Sequence, residues 1–169
     1  GNAGRLETSA MVLADLDNDG DIDAIAGNSQ DGSNRLPEKV YMNDGSGGMT
    51  EQELIVSFDA SRDVFDGDID HDGKADLVIL GDKDAGVFLG NGDGSFRATT
   101  GSVEQGLVDP VSAALGDLNG DGNVDMYVAQ CGGNPNRVYL GDGTGRFSGT
   151  GAGAGTVDEA TAVALADFD

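Results

Sequence analysis

The chain is 169 residues long, with 31 acidic against 9 basic side chains, and its formal charge of −22 excludes nucleic acid and anionic membrane surfaces as partners. Glycine occupies 29 positions, well over twice the usual share of about 7%, without Gly-X-Y periodicity, which excludes collagen and favours a turn-rich β protein. Hydrophobic residues at 38% suffice for a core, while the single cysteine, Cys131, permits no internal disulfide and leaves metal ions as the available staples.

An apolar run from Ala10 to Ala14 predicts the first strand, and it leads into Asp15-Leu-Asp17-Asn-Asp19-Gly20-Asp21-Ile-Asp23. Alternating oxygen donors in a tight turn converge on one point, glycine supplies the bend, and a hard divalent cation such as calcium takes six to eight such oxygens. Without a cation the loop is strained, because carboxylates about 5 Å apart repel by roughly 3 kcal/mol per pair at an effective dielectric near 20. A strand from Ile22 to Ala26 leaves the loop, Val40-Tyr41-Met42 forms the next, and a Gly/Asp turn from Asn43 opens a fourth near Met49.

The same order returns in Asp68-Ile-Asp70-His-Asp72-Gly73-Lys-Ala-Asp76, followed by Ala75 to Leu80, Val87-Phe88-Leu89 and a strand from Phe96. Its lead-in is interrupted by Asp63-Val-Phe65-Asp66 and is predicted to be the least regular strand. A third unit runs through Val111 to Leu115, Asp117-Leu-Asn119-Gly-Asp121-Gly122-Asn-Val-Asp125, Val124 to Ala129, Val138-Tyr139-Leu140 and a strand from Phe147. Ala162 to Ala166, then Asp167 and Asp169, open a fourth.

Loop starts at Asp15, Asp68, Asp117 and Asp167 are 53, 49 and 50 residues apart. That period, with four short antiparallel strands per unit, predicts an all-β fold of propeller-type blades. The repeats are placed at 10–58, 59–108 and 109–158, with 1–9 as the tail of a preceding repeat or a linker and 159–169 as the start of a truncated fourth. Propellers close with about four to eight blades, so the chain is expected to be an excerpt of a longer polypeptide, with an open stack or an assembly of copies as the alternative. A second copy does not finish the fourth loop, because Asn2, Ala3 and Leu6 fall where an acid, a glycine and the terminal Asp are needed.

The acidic loop, a short hydrophobic strand, then Val-Tyr-Leu-Gly and a Gly/Asp turn ending in Phe together resemble the FG-GAP or VCBS repeat of integrin-α-like calcium-binding β-propellers. The resemblance spans nearly the whole chain. It implies side-chain ligands at the first, third, fifth and ninth loop positions and a backbone carbonyl from the seventh. Carried over, this assigns Asp15, Asp17, Asp19 and Asp23 with the Asp21 carbonyl, then Asp68, Asp70, Asp72 and Asp76 with the Lys74 carbonyl. The third set is Asp117, Asn119, Asp121 and Asp125 with the Asn123 carbonyl, and Asp167 and Asp169 begin a fourth, partial site. The cofactor implied is Ca2+, at three complete sites. An EF-hand would need a glutamate at position twelve, where Ala26, Ile79 and Val128 stand. Asn119 replaces a carboxylate, so the third site is expected to be the weakest.

No catalytic constellation stands out. His71, the only histidine, falls at the fourth loop position as a turn residue, and no Ser-His-Asp set, zinc cluster or phosphate loop is present. The expectation is a non-catalytic calcium-binding module, structural or adhesive, in a surface or secreted protein or filament, because low-affinity cages load at about 0.1 to 1 mM calcium, an extracellular level. A lectin-like carbohydrate binder and an accessory domain of a secreted hydrolase stay open beside it. Tyr41 and Tyr139 are expected to pack within blades rather than form sugar platforms. Expected partners are a protein or glycan ligand, or copies of the chain through blade edges, without membrane insertion, since no apolar stretch approaches about 20 residues.

Overall fold

Gly- and Asp-rich turns cut the chain into short extended segments, and the β-branched and aromatic residues between them pair as strands. The computed structural model describes residues 8–28, 37–54, 61–100, 103, 107–153 and 161–166. The first sheet contains β1 (Thr8–Ala14), β2 (Asp23–Asn28), β3 (Glu38–Asn43) and β4 (Met49–Leu54). The second contains β5 (Ser61–Gly67), β6 (Asp76–Gly81), β7 (Ala85–Gly90) and β8 (Phe96–Ala98), and the third β9 (Pro110–Gly116), β10 (Asp125–Gln130), β11 (Arg137–Gly141) and β12 (Phe147–Gly153). Each sheet is open, antiparallel and ordered as in the chain, and no helix occurs among the described residues. These are the four-stranded propeller-type blades that the repeat predicts.

Two expectations are corrected. The lead-in β5 is as regular as its counterparts: it pairs with β6 from Ser61↔Gly81 to Gly67↔Asp76, with one register shift near its start, and the β1/β2 and β9/β10 pairs carry similar shifts. Its acids are accommodated, Asp63 accepting a hydrogen bond from Ser112 Oγ of the third sheet at 3.0 Å while Phe65 packs into the core. The other correction concerns Ala162 to Ala166, which form no strand. A Cβ on Gly116 would meet Leu165 Cδ1 at 3.5 Å, much as one on Gly67 would meet Leu115 Cδ1 at 3.8 Å, so 161–166 follows β9 as β9 follows β5.

The core lies between sheets. Leu16, Ile25 and Val40 of the first blade pack with Val64, Leu77, Ile79 and Phe88 of the second. On the other face of the second blade, Ile69, Val78, Leu80, Val87 and Leu89 pack with Ala113, Met126, Val128, Tyr139 and Phe147 of the third. Both faces of β6 are therefore covered, which is why Leu77 to Leu80 read as an unbroken apolar run and are 0% exposed. Each such side chain contributes about 1.5–3 kcal/mol of burial. Tyr139 is buried, as expected, and Tyr41 is half-buried. On the first blade's far face Met11, Leu13 and Met49 stand exposed, while their counterparts Val64 and Ala113, Leu115, and Phe147 pack into the cores.

Candidate metal centres

Each acidic loop joins the first strand of its blade to the second, so its two ends are anchored in neighbouring strands. Two left-handed residues bend each loop. The sixth position is left-handed in all three loops, at Gly20 (φ 94), Gly73 (φ 81) and Gly122 (φ 89), as the motif predicts. The fourth position is left-handed as well, at Asn18 (φ 60), His71 (φ 60) and Gly120 (φ 79). That second bend was not read from the sequence, although asparagine, histidine and glycine are residue types enriched in this conformation.

The bends turn backbone amides onto the carboxylates. The first-position carboxylate accepts the sixth-position amide, at 3.0 Å for Asp15 and Gly20, 3.1 Å for Asp68 and Gly73, and 2.9 Å for Asp117 and Gly122. The fifth accepts the seventh: Asp19 from Asp21 at 2.9 Å, Asp72 from Lys74 at 3.0 Å, and Asp121 from Asn123 at 2.8 Å. The ninth is a buried tie-rod, with Asp23, Asp76 and Asp125 all 0% exposed. Asp23 accepts the amides of Leu16 and Asn43, Asp76 those of Ile69, Asp70 and Gly90, and Asp125 those of Leu118 and Gly141. Loop and β-hairpin are thus joined through one carboxylate.

The expected ligands converge differently in the three loops. Carboxylate oxygens of Asp15, Asp17 and Asp19 lie within 4.8 Å of one another, as do those of Asp68, Asp70 and Asp76. Asp23 stands outside the first triad. Asp72 stands outside the second and pairs with Lys74 Nζ at 2.7 Å. In the third loop Asn119 Nδ2 donates to Asp121 Oδ2 at 2.9 Å, and no carboxylate triad forms there among the described residues. Asp167 and Asp169 lie outside the described residues.

Seventh-position side chains leave the loop. A Cβ on Gly45 would stand 2.2 Å from Asp21 Oδ2, one on Gly92 2.8 Å from Lys74 Cδ, and one on Gly143 2.6 Å from Asn123 Oδ1. These side chains lie over the turn after the third strand, which leaves only their carbonyls for the loop interior. A glycine recurring at the same step of each turn was the sequence signal for this contact.

The donor set fits a hard cation. Asp15 Oδ1, Asp68 Oδ1 and Asp70 Oδ1 are buried and accept no hydrogen bond among the described residues, an arrangement that costs free energy unless a positive charge satisfies it. Burial pushes the Asp17 carboxyl up, with the charges of Asp19, Asp23 and Asp15 adding to it, and burial also raises Asp76 against the amides of Gly90 and Ile69. Asp117 is lowered, chiefly by the Gly122 amide. Between the first two loops lies a cleft of about 340 Å3 lined by Asp15, Asn18, Asp66, Asp68 and Lys74.

Among solved structures, a lectin from Agrocybe aegerita, described as recognising non-reducing terminal N-acetylglucosamine, is similar with a TM-score of 0.59 and 26% identity. The match covers 82% of this chain and 36% of that one, so the chain spans about a third of the lectin's length. No curated protein matches the chain. A family model described as an FG-GAP-like repeat matches residues 68–128 and again 117–169, more than half of the sequence. The chain belongs to the FG-GAP-like repeat family.

Proposed function

We propose that the chain is a non-catalytic, extracellular calcium-binding repeat module in which metal ions clamp each acidic loop to its blade. The observation that carries this reading is the set of buried, unsatisfied oxygens on Asp15, Asp68 and Asp70 at the converging carboxylates. Ca2+ would be held by Asp15, Asp17, Asp19 and Asp23 with the Asp21 carbonyl, by Asp68, Asp70, Asp72 and Asp76 with the Lys74 carbonyl, and by Asp117, Asn119, Asp121 and Asp125 with the Asn123 carbonyl. A bound ion supplies positive charge that cancels the mutual repulsion of these groups. At free calcium a hundredfold above its dissociation constant each site adds about 2.7 kcal/mol, so three sites approach the stability of a whole domain. Excess chelator is expected to lower the melting temperature by tens of degrees, and an unchanged melt refutes the reading.

A second reading, glycan binding, is favoured by the lectin likeness. The calcium-stiffened loops and turns would then present a saccharide surface. Glycan arrays that include terminal N-acetylglucosamine, probed with and without calcium, test it: binding that is lost in chelator supports a lectin role, and an array without signal in calcium removes it.

A further inference from the structure

We propose that Lys74 is a built-in counter-ion that keeps the second acidic loop shaped when calcium is scarce, so that the central blade stays ordered while the first and third loops depend on metal. The inference rests on the calcium reading above and concerns what each loop does before the ion arrives.

The three loops carry different charge. The first gathers Asp15, Asp17, Asp19, Asp21 and Asp23, and no lysine or arginine pairs with them among the described residues. The third has Asp117, Asp121 and Asp125, likewise without a paired cation among the described residues. In the second, Lys74 Nζ pairs with Asp72 at 2.7 Å and Arg97 Nη2 reaches Asp70 at 3.5 Å, so two cations stand against four carboxylates. By net charge the metal-free first loop, with five carboxylates and no cation, is the most stressed, and the second, with four carboxylates against two cations, is less stressed than the third with three carboxylates and none.

Geometry fits the role. The Lys74 stem lies over Gly92, with its Cδ 2.8 Å from where a Cβ there would be, which aims the ammonium back at Asp72 from outside the loop. Lys74 therefore does not fill the place of the ion. Asp72 must exchange its ammonium partner for calcium, so the same contact that shapes the empty loop competes with metal. The second blade also packs on both neighbours, so order retained there preserves both interblade cores.

Hydrogen exchange of the intact chain in chelator and in calcium, at low ionic strength, tests this. In chelator the Gly73 and Lys74 amides are expected to stay protected while those of Gly20, Asp21, Gly122 and Asn123 lose protection. Lys74→Gln should lower protection of the second loop in chelator by about two- to fivefold, the scale of an exposed ion pair, and should raise its calcium affinity. Asp21→Lys, which places an ammonium at the equivalent position, should confer chelator-resistant protection on the first loop. Equal loss in all three loops, or a Lys74→Gln variant indistinguishable from the parent, overturns the inference while leaving the calcium reading intact. If calcium changes no loop, the calcium reading itself fails.

Discussion

The Asp76 carboxylate accepts the Gly90 amide at 2.8 Å across 14 residues of chain, and with its other oxygen it accepts the Ile69 amide at 2.8 Å. A residue that the motif marks as a metal ligand therefore also pins the acidic loop to the end of β7. Asp76→Ala is expected to destabilise the protein in chelator as well as in calcium, by about 2–4 kcal/mol, because buried amides are left without an acceptor. Asp72→Ala, at an exposed position, should lower stability mainly when calcium is present, with only the small loss of its ion pair to Lys74 in chelator. Urea unfolding of both variants under both conditions decides; a purely calcium-dependent loss for Asp76→Ala contradicts the tie-rod role.

Glycines at the end of the third strand are packed against the loop's own carbonyl. A Cβ on Gly90 would stand 2.2 Å from the Ala75 oxygen, and one on Gly141 2.0 Å from that of Val124. Gly90→Ala and Gly141→Ala should each cost about 1–3 kcal/mol through forced backbone shifts. In the first blade Asn43 occupies this position and its Nδ2 donates to the Ile22 carbonyl at 3.2 Å, so Asn43→Ala should cost about 1 kcal/mol or less. Equal denaturation midpoints for the three variants would count against the steric account.

Glu38 opens β3 at 2% exposure, with Oε1 accepting the Ser61 hydroxyl and Oε2 unsatisfied among the described residues. Burial pushes its carboxyl above the ordinary value of 4.5, the Ser61 hydrogen bond opposing it. The folded state then holds this proton more tightly than the unfolded state. Stability from the protonated acid is complete below about pH 4.5 and is lost as pH rises through the raised value. Glu38→Gln, neutral throughout, should therefore gain stability relative to the parent as pH rises from 4 to 7. A mutant-minus-parent difference that stays flat over that range, measured by urea unfolding, removes the assignment.

Calcium should fill the third site last. Asn119 leaves the proposed third site one carboxylate ligand short, a larger loss than the competition that the partly exposed Lys74 and Arg97 offer at the second site. At limiting calcium Asp121→Ala should then lower the melting temperature less than Asp72→Ala. Equal losses would mean that the ordering by direct ligand charge is wrong.

The fifty-residue rhythm, the strand order within a blade and the acidic loops were legible because each is local: a donor every second residue, a glycine at the bend and an apolar pair on each side all lie within a dozen positions. The starts of the fourth strands at Met49, Phe96 and Phe147 were also legible, since an aromatic or Met directly follows a Gly/Asp turn. Asp63 and Asp66 misled, because the partner of Asp63 is Ser112, 49 residues away on another blade. Sequence distance hides such a pairing.

Composition and spacing alone determined an all-β repeat chain with charge-dense loops, because strand pairing and carboxylate repulsion follow from near neighbours. Only the tertiary structure decided which carboxylates meet. It turned Asp76 inward as a hydrogen-bond anchor and laid Asp21 across the following turn, since both depend on where a second strand or a neighbouring turn arrives in space. Burial of both faces of β6 was decided in the same way, because a sheet can be covered twice only when blades stand on either side of it.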